Sequence, residues 1–241
     1  MNAPRIHLDA TLVAGARLTL SDSAARHVGL VLRKSEGEPL VLFDGRGNEA
    51  LASIACVDRK RVDVIVEHLR EPVPESGLAV HLGQAISKGE RMDFAIQKAV
   101  ELGVGAITPL YAERGEVRLK GDRAAKKLAH WRGVAVSACE QCGRAVVPEI
   151  GEPQTIAEWL AQRDEALRLV LHPGEGSLEQ TQPPRDAALL IGPEGGLTDT
   201  EIASARASGF EALTLGPRIL RTETAPIVAL SVLQYRFGDL N

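Results

Sequence analysis

The 241 residues predict an α/β protein, with a mostly parallel sheet covered by helices on both faces and a small β-rich domain before it. Three observations carry this. The apolar rhythm changes at Glu71-Pro72-Val73-Pro74-Glu75-Ser76-Gly77, a segment with two prolines, a glycine and no periodicity. Beyond it, short apolar runs alternate with segments of helical spacing. Near the C-terminus two glycine-bearing turns follow apolar runs, where open α/β sheets place ligands.

Before the linker, residues 1–72 read as one domain. Apolar or alternating runs at Pro39–Phe43, Ala50–Val57 and Val62–Leu69 predict strands, and Asp44-Gly45-Arg46-Gly47 is a turn signal between two of them. Ser21–Leu32 predicts a short helix capped by Ser21 or Asp22. Residues 73–77 are the linker and residues 78–241 the second domain. There Leu78–Ile86 is the first strand, and Met92, Ile96, Ala99 and Val100 share a helical face that Gly103 can end. Val104–Leu110 is a second strand. Asp122 can cap a helix aligning Leu128, Trp131, Ala135 and Cys139, which makes the tryptophan a core residue. Ile156–Arg163 predicts a short helix around Trp159, and Leu167–His172 and Ala187–Gly192 predict strands. Thr198-Asp199-Thr200-Glu201 is a capping box opening a helix that Gly209 can end. Glu211–Leu215 is a last strand, and Thr222 or Thr224 caps a last helix running to about Phe237.

Composition excludes some function classes. The start MNAPRIHLDA is too polar for a signal peptide, and no apolar run approaches the roughly 18 residues that span a bilayer. Three cysteines without a secretory signal fit a reducing compartment, so a cytoplasmic location is expected. Aromatic residues are 3%, too few for extensive base-stacking platforms. Net charge is −4, but it is unevenly spread. Seven Lys or Arg lie between Arg114 and Arg132 against Glu116 and Asp122, while Glu149 to Glu211 holds twelve acids and four bases. Such a basic run neutralises phosphates or forms a solvated helix face. Cys139-Glu140-Gln141-Cys142 has the spacing of half a zinc site, yet no second ligand pair exists in the sequence, so no metal is expected.

The two glycine turns concentrate the chemistry. Leu189–Leu197 runs from an apolar strand through Gly192-Pro193-Glu194-Gly195-Gly196 into the capped helix. It is neither a dinucleotide fingerprint nor a P-loop, and alone it is equally a tight strand-to-helix turn. Leu215–Pro226 again links strand to helix but crowds Arg218, Arg221, Thr222, Glu223 and Thr224 into one connection. Helix capping explains the threonines and Glu223; it leaves Arg221 at the unfavourable end of a helix dipole.

The strings IGPEGGLTDTEI and LGPRILRTETAPIVALSVLQ, with KGERMDFAIQKAVELGV, ACEQCGRAVVPEI and ARHVGLVLRK, resemble the RsmE family of bacterial 16S ribosomal RNA uridine N3-methyltransferases. The resemblance spans nearly the whole chain. It implies a PUA-like, RNA-binding β-barrel at the N-terminus and a SPOUT domain whose last third forms a trefoil knot. Connection rules by themselves give an unknotted sheet. It also implies S-adenosylmethionine as methyl donor with no metal, 16S ribosomal RNA of the small subunit as partner, and a homodimer formed through the SPOUT domain.

Carried onto this chain, the resemblance places the cofactor against three loops: Leu171 and His172; Gly192, Pro193, Glu194, Gly195 and Gly196; and Leu215, Gly216, Ile219, Leu220, Arg221 and Thr224. Backbone groups are expected to hold adenine and ribose, and His172 reads equally as a turn residue before Pro173-Gly174. Uracil N3 is a weak acid, so methylation there favours the anion; Arg221 is the candidate charge stabiliser and Glu223 the group that orients it or accepts the proton. Arg5, Arg26, Arg33 and Arg114 are the expected RNA contacts, with Arg59-Lys60-Arg61 a further basic turn. Two other functions share parts of this pattern: ribose 2′-O-methylation within the same fold, and a non-catalytic ribosome-binding protein.

Overall fold

The computed structural model describes residues 3–58, 61–172, 174, 176–179 and 182–241, and the chain divides into two compact units. Arg59, Lys60 and Pro173 lie outside the described residues. The first unit comprises Met1–Glu75 with Val136–Val147, and the second Ser76–Ala135 with Pro148–Asn241.

In the first unit the expected runs form β3 (Pro39–Phe43), β4 (Glu49–Val57) and β5 (Val62–Arg70), joined antiparallel. Two short strands complete the sheet, β1 (Arg5–His7) beside β3 and β2 (Arg17–Thr19) beside β5, in the order β1-β3-β4-β5-β2. Three residues give too little alternation to announce either one. The β3–β4 turn follows from its residues. Gly45 and Gly47 take positive φ (77° and 100°), and the Asp44 carboxylate accepts from the Arg46 and Asn48 amides at 2.8 and 3.1 Å. Ser21 caps α1 (Asp22–Arg26), accepting from the Ala24 amide, and the chain continues into a π-helical turn over His27–Val31. Ala25 and Val28 pack with Ile6, Leu40, Leu42, Val64 and Val66 in one apolar core.

Every ladder of the second unit is parallel. Its strands are β6 (Ala79–Ala85), β7 (Val104–Tyr111), β8 (Glu149–Ile150), β9 (Gln154–Thr155), β10 (Leu167–Leu171), β11 (Asp186–Ile191) and β12 (Glu211–Leu213). The sheet order is β12-β10-β11-β6-β7-β8, with β9 also on β7. The helices are α2 (Arg91–Glu101), α3 (Asp122–Cys142, whose last residues belong to the first unit), α4 (Ile156–Leu160), α5 (Asp199–Ala207) and α6 (Ala225–Phe237). Ala188 and Leu190 of β11 share a cluster with Ile156, Trp159, Ile202 and Ala205 of α4 and α5. Strand alternation sends Ala187, Leu189 and Ile191 to the opposite face, also buried, and there α2 and α6 pack on each other.

Particular side chains lock this arrangement. A Cβ on Gly83 would come within 2.8 Å of the Trp159 ring, so glycine in β6 makes room for the indole. The α5 capping box is formed, with Thr198 accepting from the Glu201 amide and Glu201 from the Thr198 amide. Gln234 of α6 is fully buried, accepts from Ser76 Oγ at 2.6 Å and donates to the Gly103 carbonyl at 3.3 Å. Asp122 is the first residue of α3 rather than its cap. Cys139 is buried, and burial pushes its thiol up to about 12, while Cys142 is exposed; the C-x-x-C pairs a protonated core thiol with a surface one.

Candidate active site

A cavity of about 580 Å³ lies at the carboxyl ends of three neighbouring strands, β10, β11 and β12. That volume lies within the roughly 300–1,000 Å³ of small-molecule sites. Its walls are the turns those strands run into, as expected for an open α/β sheet.

From β10 come Leu171 and His172, whose amide donates to the Leu213 carbonyl at 3.1 Å and whose carbonyl accepts from Thr214 Oγ1 at 3.0 Å. His172 is thus fixed by its backbone. From β11 come Gly192, Pro193, Glu194 and Gly196. Gly196 takes φ +71° and donates to the Pro193 carbonyl at 2.9 Å, closing the turn. At Gly192 a Cβ would sit 2.9 Å from Leu197 Cγ and 3.2 Å from the Leu197 amide nitrogen, so only glycine fits. From β12 come Leu215, Gly216, Ile219, Leu220, Arg221 and Glu223, with Gly216 at φ +77°.

Gly195 and Thr224, expected in this wall, do not line the cavity. A Cβ on Gly195 would meet Arg114 Cβ at 3.2 Å, so Gly195 faces its neighbouring segment instead. Thr224 stands at the start of α6 and makes no side-chain cap bond. Thr222 is no cap either. Its hydroxyl donates to the Gly192 carbonyl at 2.8 Å and accepts from Gln84 Nε2 at 3.2 Å, and both residues are buried. One hydroxyl therefore joins the end of β6 to the second and third loops. Gln84 was legible as a polar residue inside an apolar strand, which demands partners.

Charge gathers at the rim. Arg91, the first residue of α2, lines the cavity and pairs with Glu194 at 2.9 Å. Arg218 also lines it. Arg221 is exposed and makes no side-chain hydrogen bond or ion pair among the described residues; its carbonyl accepts from the Thr224 and Ala225 amides at 2.9 Å. It is a cation beside a helix N-terminus without a compensating carboxylate.

The expected RNA contacts divide. Arg114 donates to the Gly195 and Leu197 carbonyls at 3.2 and 3.4 Å, so it braces the second loop. Arg5 is committed inside the first unit. It pairs with Glu49, donates to the Arg144 carbonyl at 3.0 Å, and stacks 4.9 Å from the Phe43 ring centre. Three internal partners leave it a strut rather than a phosphate contact. Arg26 and Arg33 are exposed without a side-chain partner among the described residues.

The walls fit S-adenosylmethionine. Apolar Leu171, Leu215, Ile219 and Leu220 can face an adenosine, glycine turns expose backbone groups, and Glu194, Arg91 and Arg218 can meet the amino and carboxylate ends. No group of three or more metal-ligating side chains occurs among the described residues, and no described helix is long and apolar enough to cross a membrane.

Residues 74–234 match the profile of an RNA methyltransferase domain and residues 20–67 that of an RNA methyltransferase PUA domain. The ribosomal RNA small subunit methyltransferase E of Buchnera aphidicola (subspecies Schizaphis graminum) is 38% identical over 99% of this chain and 98% of its own length. This chain belongs to the ribosomal RNA small subunit methyltransferase E family. A family structure from Neisseria gonorrhoeae, bound to S-adenosylmethionine, is 38% identical with a TM-score of 0.93 over 100% of both chains. A Legionella pneumophila structure with bound cofactor SAM is 47% identical with a TM-score of 0.96, again over 100% of both. The family assignment fits the α/β fold with a PUA-like domain and makes this chain an S-adenosylmethionine-dependent methyltransferase.

Proposed function

We propose that this chain methylates N3 of a uridine in 16S ribosomal RNA of the small ribosomal subunit, using S-adenosylmethionine bound in the three-loop cavity. The observation carrying this reading is that Arg221 and Glu223 stand on the wall of that cavity rather than elsewhere on the surface. The relatives named as small-subunit ribosomal RNA methyltransferases supply the substrate class.

When bound, S-adenosylmethionine supplies a methyl group already activated by its sulfonium. Leu171, Gly192, Gly196, Gly216 and Leu220 form its bed, and Thr222 holds the second and third loops in register. Arg221, without a counter-ion among the described residues, stabilises the negative charge that develops on uracil as N3 loses its proton. Glu223 accepts that proton, directly or through one water, as N3 bonds the methyl carbon and the methyl–sulfur bond breaks, its electron pair staying on sulfur as a neutral thioether. Arg26 and Arg33 contact RNA phosphates. The chain works in the cytoplasm as a homodimer formed through the second unit, with its last third threaded as a trefoil knot.

Mass analysis of nucleosides from 16S RNA of a strain lacking this gene tests the reading. The expected result is loss of 3-methyluridine and its return on complementation. Loss of a ribose-methylated nucleoside instead would overturn it.

A further inference from the structure

The helical segment of the first unit ends in an unusual way. After α1 the chain widens into the π-helical turn His27–Val31, with Leu32 donating to the His27 carbonyl at 2.9 Å. Such turns are rare and recur at functional sites. Arg33 then takes φ +53°, the left-handed conformation, and is the one described non-glycine residue to do so. The Lys34 amide donates to the Val28 carbonyl at 3.0 Å, so Arg33 occupies the helix-ending position where glycine is usual. An arginine there is strained, and its exposed side chain makes no hydrogen bond or ion pair among the described residues that would offset the strain.

The same turn presents Leu30 and Val31 to solvent, 67% and 66% exposed, while Val28 is fully buried in the core. The two apolar side chains are bracketed in sequence by Arg26 and Arg33. Lys34 is neutralised by Glu38 at 2.7 Å, which leaves those two arginines as the uncompensated cations of the segment.

We propose that this knuckle is an RNA contact in which Leu30 and Val31 lie against the faces of unstacked bases, while Arg26 and Arg33 take the flanking phosphates. Guanidinium groups match phosphate oxygens geometrically. Apolar side chains of this size wedge between or against bases in nucleic-acid complexes. A protein partner is disfavoured by size, since two side chains supply little of the roughly 1,600 Å² of a stable protein interface. The inference rests on the ribosomal RNA reading and adds to it a base-contacting apolar element.

The test uses the full chain with deproteinised 16S RNA and, separately, with intact small subunits. In Leu30→Ser/Val31→Ser, RNA affinity falls about tenfold or more while its salt slope stays that of the wild type, because no phosphate contact is lost. In Arg33→Gly, the salt slope falls by about one unit and the melting temperature rises, because glycine removes the strain. A structural role predicts the opposite pairing, with RNA affinity unchanged in both variants. That result overturns the proposal, as does loss of affinity for intact subunits alone, which marks a protein partner. S-adenosylmethionine binding serves as the folding control. If wild-type protein fails to bind or methylate 16S RNA, the underlying reading fails, which is distinguishable from wild-type binding that ignores the knuckle.

Discussion

Thr222→Val replaces the hydroxyl that ties three segments together with a methyl group of nearly the same size. The Gly192 carbonyl loses its 2.8 Å donor, and Gln84 Nε2 loses one of two acceptors, keeping the Ala85 carbonyl at 3.2 Å. Gln84 Oε1 already has no partner in its buried position, so the amide has little room to re-pair. A buried polar group left unsatisfied costs about 1–3 kcal/mol, and the loss here is of that order because Gln84 Nε2 keeps one acceptor. For a chain of this size that lowers Tm by roughly 3–12 °C. The Gly192 turn and the Arg221–Glu223 segment lose their common tether, so affinity for S-adenosylmethionine falls at least about tenfold, the equivalent of 1.4 kcal/mol. Differential scanning calorimetry reads the first effect and titration calorimetry the second. Thr222→Ser, which keeps the hydroxyl, recovers most of both. The reasoning is refuted if Thr222→Val melts within a degree or two of the wild type and binds the cofactor unchanged.

Arg221→Ala lowers the single-turnover methyl-transfer rate by about a hundredfold or more at saturating cofactor, the size expected for losing one preorganised charge stabiliser. Cofactor affinity holds within about twofold; a normal single-turnover rate removes Arg221 from the chemistry. Gly192→Ala forces a methyl against Leu197 at 2.9 Å and costs about 1–3 kcal/mol of stability, with weaker cofactor binding, both read by calorimetry. A fully stable, binding-competent variant refutes the close-packed turn. His81 is pushed down to about 4, first by burial and then by the neighbouring Arg163 guanidinium. Its folded-state value lies below the unfolded 6.5, so its contribution is present above pH 6.5 and fades as pH falls toward 4, because the unfolded chain binds the proton more readily. Up to about 3 kcal/mol is at stake, and His81→Gln flattens this part of the pH–stability curve in urea titrations; identical curves contradict the assignment.

The fold was legible where periodicity had room to show. α2, β6, β7, β10, β11 and α5 declared themselves through runs of five or more residues and, at Thr198, a capping box. β1 and β2 are three residues each and pair through backbone groups that carry no side-chain code. The return of Val136–Val147 to the first unit was hidden because one helical face repeats unbroken along α3. At the site, the glycine loops marked the cavity, but spacing does not say which way each residue faces: Gly195 and Thr224 turn away, while Arg91 and Gln84 join from more than a hundred residues earlier. Arg5 illustrates the same limit, since surface contact and internal strut require the same side chain.

The cavity walls come from turns near residues 172, 192 and 220, and Thr222 clamps two of them against Gln84 of the first strand in the second unit. Translation delivers those pieces in order, so a nascent chain lacks a complete cofactor site until the segment up to Ala225 has been made and folded. Ligand capture thereby becomes a readout of completed assembly. A molecule truncated before Ala225 has no means of drawing stability from the cellular pool of cofactor, whereas a finished one gains about 2.7 kcal/mol when free ligand stands at a hundred times its dissociation constant. Proteolytic surveillance acting on unliganded chains would on this account remove unfinished copies and spare finished ones.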